Sequence, residues 1–309
     1  MPMIKVYTPT EINHDKWDAC VATHKHPLPY GFSWYLNALR VEWKGLVYGD
    51  YDAVMPIFPL RKKGFSYSTR PFGTQQVGIV AKIPITPVLV EQFVAAAKKE
   101  CRYLELFFNH GTTLPKSWSC TSLMNQVLPL NKPYEQLVQG YSKRTKRNLK
   151  KSSFDPGNLG LWFTAKQVVG LWKASGKVGP GVQEAELDKL EKLIEYGLYQ
   201  NKAELLAYTD GEGQLIAAQA YITHKGRATL LVNAATEEAK SNGIPTALID
   251  FYISGKAGVD MVLDFEGSNL EGVQQFYNGF GAQSAPYHMC VVNALPFPFN
   301  FLKPKSSIK

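Results

Sequence analysis

No apolar run in this sequence approaches the roughly 20 residues that a bilayer-crossing helix needs, so no membrane span is expected. Met1 to Thr10 is polar and strand-like. It has neither the basic head and apolar stretch of a secretory leader nor the Arg-rich amphipathic pattern of a transit peptide, and a cytoplasmic location is expected. Cysteine is scarce. Cys20, Cys101, Cys120 and Cys290 are scattered, with no CxxC pair and no histidine at metal-ligand spacing. That pattern argues against a zinc site or other metal and predicts reduced core thiols rather than a disulfide framework. None of the histidines has a triad-like partner in sequence, and Ser33, Ser117 and Ser268 lack the Gly-x-Ser-x-Gly setting of a hydrolase nucleophile elbow. No heptad run of coiled-coil length occurs.

What is present is a globular composition: 309 residues, 45% apolar, 12% aromatic and 19% charged. At this length a single core usually splits in two. We expect domains over 1–130 and 131–295, divided at the proline-bounded junction Pro129 to Pro133, with a loosely held tail over 296–309. The net charge of +8 is concentrated in one place. Six of the ten residues from Ser142 to Lys151 are basic: Lys143, Arg144, Lys146, Arg147, Lys150 and Lys151. Such a run is either a solvated helix face or an anion site for the phosphates of a cofactor, a nucleotide-linked substrate or tRNA, with Lys143, Arg144 and Arg147 as candidate ligands.

Periodicity gives the element order. In the first half, helices over 13–23 and 32–40 precede strands over 43–48, 53–60, 65–69 and 76–80, a helix over 87–100 and a strand over 103–108. In the second half, a basic helix from Tyr134 and helices over 164–175 and 182–200 precede strands over 203–209, 214–223 and 227–233. A helix over 245–255, a strand over 261–265, a helix over 272–279 and a last strand over 287–295 complete it. The second half repeats the plan of the first, which predicts a mixed α+β fold of duplicated architecture.

Three segments of the second half carry a resemblance. The turn Lys240-Ser-Asn-Gly243-Ile-Pro-Thr246, between the strand ending at Asn233 and a helix start, resembles the cofactor loop of the GNAT acyltransferases, with Pro245 departing from that pattern. Asp264-Phe265, Gly267, Phe276, Gly279, Phe280 and Gly281 are similar to a stretch that marks the Fem-type peptidyltransferases, in which Tyr277 stands at a lysine position. The segment Tyr141 to Lys151 looks like the basic helix that opens the second domain of the same family.

The resemblance implies two tandem GNAT-like domains, each a mixed and mostly antiparallel sheet flanked by helices. It implies transfer of an acyl group from acyl-CoA, acetyl or longer, to a small-molecule or peptide amine held in the cleft between domains. Asn233, Lys240, Asn242, Gly243 and Thr246 would bind the donor, since N–H groups at a helix start and the helix dipole suit a pyrophosphate. Tyr277 would be the acid for the leaving group and Glu266 or Asp264 the base, two residues apart on one strand face. Asp264 has a structural alternative, as a capping carboxylate near a helix start. Two other readings stay open: a Fem-type, aminoacyl-tRNA-dependent peptidyltransferase acting on a cell-wall or related precursor, and a non-catalytic binding module of the same fold.

Overall fold

The computed structural model describes residues 3–308 apart from 63, 161, 177, 180 and 268. The chain forms two compact units, one comprising 1–124 and 286–309 and the other 125–285.

The first unit opens with β1 (Ile4–Tyr7), α1 (His14–Val21), α2 (Ser33–Ala38), β2 (Lys44–Tyr48), β3 (Ala53–Ile57), β4 (Pro59–Lys62) and β5 (Phe65–Ser68). It continues with β6 (Val80–Ala81), α3 (Pro87–Glu100), β7 (Tyr103–Phe108) and β8 (Thr121–Leu123). Helix α3 shows why such a segment folds as it does. Thr86 caps it by accepting from the Leu89 N–H, Pro87 pre-sets its first turn, and Leu89, Val90, Phe93, Val94 and Ala97 recur at helical spacing and are buried. That face packs on Leu46, Met55, Leu104 and Phe108 from the strands.

The second unit runs through β9 (Gln126–Pro129), α4 (Tyr134–Gln139), α5 (Lys143–Lys151), β10 (Leu159–Gly160), α6 (Ala165–Ala174), α7 (Glu184–Tyr199) and β11 (Ala203–Thr209). It continues through β12 (Leu215–His224), β13 (Arg227–Ala235), α8 (Glu237–Ser241), α9 (Ile244–Lys256), β14 (Val262–Asp264), α10 (Glu271–Asn278) and β15 (Gln283–Ser284). Its single sheet has the order β10-β11-β12-β13-β14-β9-β15. The expected basic helix from Tyr134 is two helices, because Gly140 ends α4 and the Ser142 hydroxyl accepts from the Thr145 N–H, 3.1 Å, to start α5.

The chain then returns to the first unit as β16 (Tyr287–Asn293), antiparallel to both β7 and β8 in a sheet ordered β4-β5-β7-β16-β8, while β1-β2-β3-β6 form a second sheet. The strand expected over 287–295 is therefore a member of the first unit's sheet. The C-terminal segment is tied down on it: Ser307 donates its N–H to the Val291 carbonyl, and the Asn293 amide donates to the Asn300 and Pro304 carbonyls.

The same pairing corrects the cysteine reading. Cys120 and Cys290 form a disulfide with Cα atoms 4.6 Å apart, joining residues 170 positions apart in sequence. Sheet pairing of β8 with β16 creates that proximity, which linear spacing does not reveal. Cys20 and Cys101 are free and buried, as expected, and burial pushes both thiols up to about 11.

The β12–β13 hairpin carries a pH-sensitive group at its turn. Burial, with the charges of Lys202 and Lys225 adding, pushes His224 down to about 4. The unfolded chain then binds more protons than the folded one between about pH 6.5 and pH 4, so folding stability falls as pH drops through that window. Urea midpoints across the window are expected to decline for the native chain and to decline less steeply for His224→Gln; equal slopes would refute the assignment.

Candidate functional site

Strands β13 and β14 run parallel but stay paired for three residues only, Arg227↔Val262 to Thr229↔Asp264. Beyond Asp264 the chain turns to β9, where the Phe265 N–H donates to the Gln126 carbonyl at 3.0 Å and the Gly267 N–H to Asn125 Oδ1 at 2.8 Å. Strand β13 runs on to Ala235 along β12 instead. The sheet thus opens into a wedge at the carboxyl end of its parallel pair. Just inside the opening, Tyr221 faces Leu230 and Ala220 faces Val232, so Leu231 forms a bulge. A bulge leaves one residue out of the ladder, which aims backbone polar groups away from β12.

Asp264 anchors the closed end of the wedge. Its buried carboxylate accepts from Arg227 at 2.6 Å through Oδ2, and through Oδ1 from Asn125 Nδ2 and the Glu266 N–H, both at 3.0 Å. With both oxygens engaged by donors of the fold, this group orients the loop. Glu266 does not share its strand face, because β14 ends at Asp264 and Glu266 adopts a left-handed backbone at φ 48°. For a non-glycine residue that conformation costs about 1 kcal/mol or more. Gly267 follows because a Cβ there would collide with the Gln126 side chain and lie 2.9 Å from its backbone nitrogen.

A polar row crosses the open part. The Tyr221 hydroxyl donates to Gln219 Oε1 at 2.7 Å and Gln219 Nε2 donates to Asn233 Oδ1 at 3.2 Å, and the Asn233 side chain lies near enough to the Tyr277 hydroxyl to influence its ionisation. The Tyr277 ring is buried at 8% exposure and stacks on Phe265 with centroids 4.7 Å apart. Burial raises the pKa of this phenol, opposed by the Asn233 side chain and aided by the Glu266 charge. The phenol therefore keeps its proton at neutral pH, which suits it to donate and not to act as a base.

Beside the wedge, Gly243 takes a left-handed turn at φ 72° to start α9, packed so that a Cβ would come within 3.2 Å of the Asn148 carbonyl. Helix geometry leaves the N–H groups of Ile244 and Thr246 without intrahelical acceptors, and Pro245 contributes none. A cavity of about 240 Å3 opens here, lined by Ser142, Arg144, Thr145 and Asn148 of the α5 start, Thr246 of α9, and Gly272, Gln275 and Phe276 at α10. Its volume is below the roughly 300–1,000 Å3 of sites that enclose a drug-sized ligand, so an extended donor would fill it only in part.

Of the candidate residues, the structure brings Asn233 near Tyr277, puts Thr246 and Arg144 on the cavity wall and Gly243 at the adjoining turn. Tyr277 is buried in the apolar cluster beside Phe265, whereas its helix neighbours Gln275 and Phe276 line the cavity. Lys240 is paired with Glu237, Asn242 is exposed with its carbonyl accepting from the Ser153 N–H, and Lys143 and Arg147 are exposed outside the cavity lining. Sequence reasoning missed Gln219, Thr145, Asn148 and Gln275. For Gln219 a signal existed: an uncharged polar residue inside the apolar run of a central strand. No group of three His, Cys, Asp or Glu that could hold a metal occurs among the described residues.

No family model and no curated protein matches this sequence. Solved structures do match in fold. One titled FemX is 11% identical with a TM-score of 0.61, over 94% of this chain and 98% of its own. A tandem GNAT protein from the clavulanic acid biosynthesis pathway is 9% identical with a TM-score of 0.54, over 95% and 99%. The N-myristoyltransferase of Saccharomyces cerevisiae, solved with bound myristoyl-CoA, is 12% identical with a TM-score of 0.53, over 95% and 84%. At these identities the likeness is one of architecture, and the architecture of this chain is that of the Fem-type and tandem GNAT proteins.

Proposed function

We propose that the second unit is an N-acyltransferase module that takes its acyl group from acyl-CoA and delivers it to a small-molecule or peptide amine. The observation that carries this reading is the wedge between β13 and β14, with a bulge on one lip and, near Asn233 of that strand, a phenol that keeps its proton at neutral pH. An acyl thioester supplies an activated carbonyl, and in the overall reaction a C–N bond forms as the C–S bond breaks. The backbone around Leu231 would donate to the carbonyl oxygen as negative charge develops there. Tyr277 would give its proton to the departing sulfur. The amine proton would pass to Glu266, directly or through water. Asp264 would act by positioning, since its oxygens are already engaged. The N–H groups of Ile244 and Thr246, with Arg144 at the cavity wall, would hold the donor phosphates.

If so, acetyl- or longer acyl-CoA at a hundredfold excess over its dissociation constant stabilises the protein by about 2.7 kcal/mol. For a chain of 309 residues that corresponds to a melting-temperature rise of roughly 4 °C. Absence of a shift across a chain-length series of acyl-CoA would remove coenzyme A from the reading.

One observation favours a second donor. Lys143, Arg147, Lys150 and Lys151 are all exposed on α5, a surface suited to the phosphates of an aminoacyl-tRNA. Steeply salt-dependent tRNA binding, lost when these residues are neutralised, would support it. Donor binding without turnover over a panel of amines would support a binding module instead.

A further inference from the structure

The first unit carries an apolar surface of its own. Phe297, Phe301 and Leu302 are 79%, 72% and 76% exposed, all within the segment that follows β16 and forms a short 3-10 turn over Phe299–Leu302. The Phe297 and Phe301 rings stand edge to face with centroids 5.9 Å apart, so they project as one cluster. Phe299 packs on Phe65 at 4.8 Å, which joins this segment to the β4–β5 hairpin, where Leu60 is also exposed. Other exposed apolar side chains, such as Trp162, Tyr199 and Val88, are distant in sequence from one another; here four neighbours stand together.

The surroundings are cationic. Arg61 and Lys62 on the hairpin, Arg102 at the start of β7, and Lys303 and Lys305 beyond the turn are all exposed. Lys303 Nζ lies 5.1 Å from the centre of the Tyr103 ring, and the Arg102 N–H donates to the Ser66 carbonyl, so the three segments adjoin. The sequence has no Asp or Glu from Ala53 to Val90 and none from Gly272 to Lys309. Glu100, just before β7, is held by Lys44 at 2.7 Å.

We infer that this patch is a docking surface for an anionic lipid bilayer. Projecting phenylalanine and leucine side chains enter the boundary between headgroups and acyl chains, and the surrounding lysines and arginines keep their charges at headgroup level. Each cation near an anionic surface is worth roughly fivefold in partitioning, so four or five of them turn a weak apolar contact into measurable binding. A protein partner or a second copy would be matched by apolar contact as well, but neither accounts for a rim that lacks acidic residues over two separate stretches of chain.

The test is co-sedimentation of the full chain with vesicles of phosphatidylcholine alone and with about 30 mol % phosphatidylglycerol added. Binding to the mixed vesicles, weakened by high salt and at least about tenfold weaker on phosphatidylcholine alone, is expected. The F297S/F301S/L302S variant, altered only at exposed positions, is expected to lose binding about tenfold or more at an unchanged melting temperature. The K303E/K305E variant is expected to lose it specifically on the anionic vesicles. No binding to the mixed vesicles, or binding that both variants retain, would overturn the inference. So would concentration-dependent dimerisation in solution abolished by the triple substitution, which would assign the patch to a second copy.

Discussion

Tyr277→Phe is expected to lower turnover by about 10²- to 10³-fold with little change in KM for the acyl donor. The side chain keeps its ring, and with it the stacking on Phe265 and its place in the buried cluster; only the hydroxyl goes. A general acid removed in this way slows the step that needs the proton and leaves ground-state binding intact. The substitution also removes the hydroxyl's contact with Asn233, whose Oδ1 keeps the Gln219 amide, so the cost to stability is expected to stay near about 1 kcal/mol. Measuring both quantities separates the roles. A fall in kcat at a temperature where the variant is folded identifies a proton donor, whereas a loss of stability with kcat unchanged makes Tyr277 a packing residue and removes it from the reaction. The raised pKa adds a second signature. The alkaline limb of the rate profile lies above the ordinary phenol range near 10 and disappears in the variant.

The largest expected effect on stability comes from Asp264→Ala. Asp264 is buried and its partner Arg227 nearly so, at 15% exposure, so removing the carboxylate takes away the buried anion that the guanidinium meets at 2.6 Å. Breaking a buried pair from one side costs about 3–5 kcal/mol, and two further donors, Asn125 Nδ2 and the Glu266 N–H, lose their acceptor as well. Urea unfolding followed by circular dichroism would show the midpoint shift. The Arg227→Met variant is expected to lose a similar amount, because it leaves the opposite charge uncompensated. A change below about 1 kcal/mol in both would mean that the pair is dispensable. If instead Asp264→Asn kept full stability and lost only turnover, Asp264 would be the base and Glu266 the bystander.

Much of this arrangement was legible in the sequence. Pro87 with the spacing of Leu89 and Phe93 announces α3, the Asp210-Gly211-Glu212-Gly213 turn announces the β11–β12 hairpin, and Leu187, Leu190, Leu193 and Ile194 mark the buried face of α7. These are local signals, and each depends on residues a few positions apart. What escaped was set by long-range pairing. Strand β16 reads as a continuation of the second unit, yet its partners β7 and β8 lie more than 160 residues earlier in the chain. The disulfide escaped for the same reason. In the site, Asn233, Gly243, Thr246 and Tyr277 were visible through a resemblance in motif. Thr145, Asn148 and Gln275 were not, because each is an ordinary polar residue on a helix whose relevance comes from which neighbours the fold brings to it. Glu266 shows the limit of strand alternation: the rule fails one residue after the ladder ends.

The Ala285 N–H donates to the Asn125 carbonyl at 2.8 Å, so the second unit begins and finishes at the same point. Topologically it is a passenger spliced into a host whose two severed strand ends, β8 and β16, are riveted by the bond between Cys120 and Cys290. A protease cut anywhere in the passenger would therefore yield fragments that migrate as one molecule until a reductant frees them.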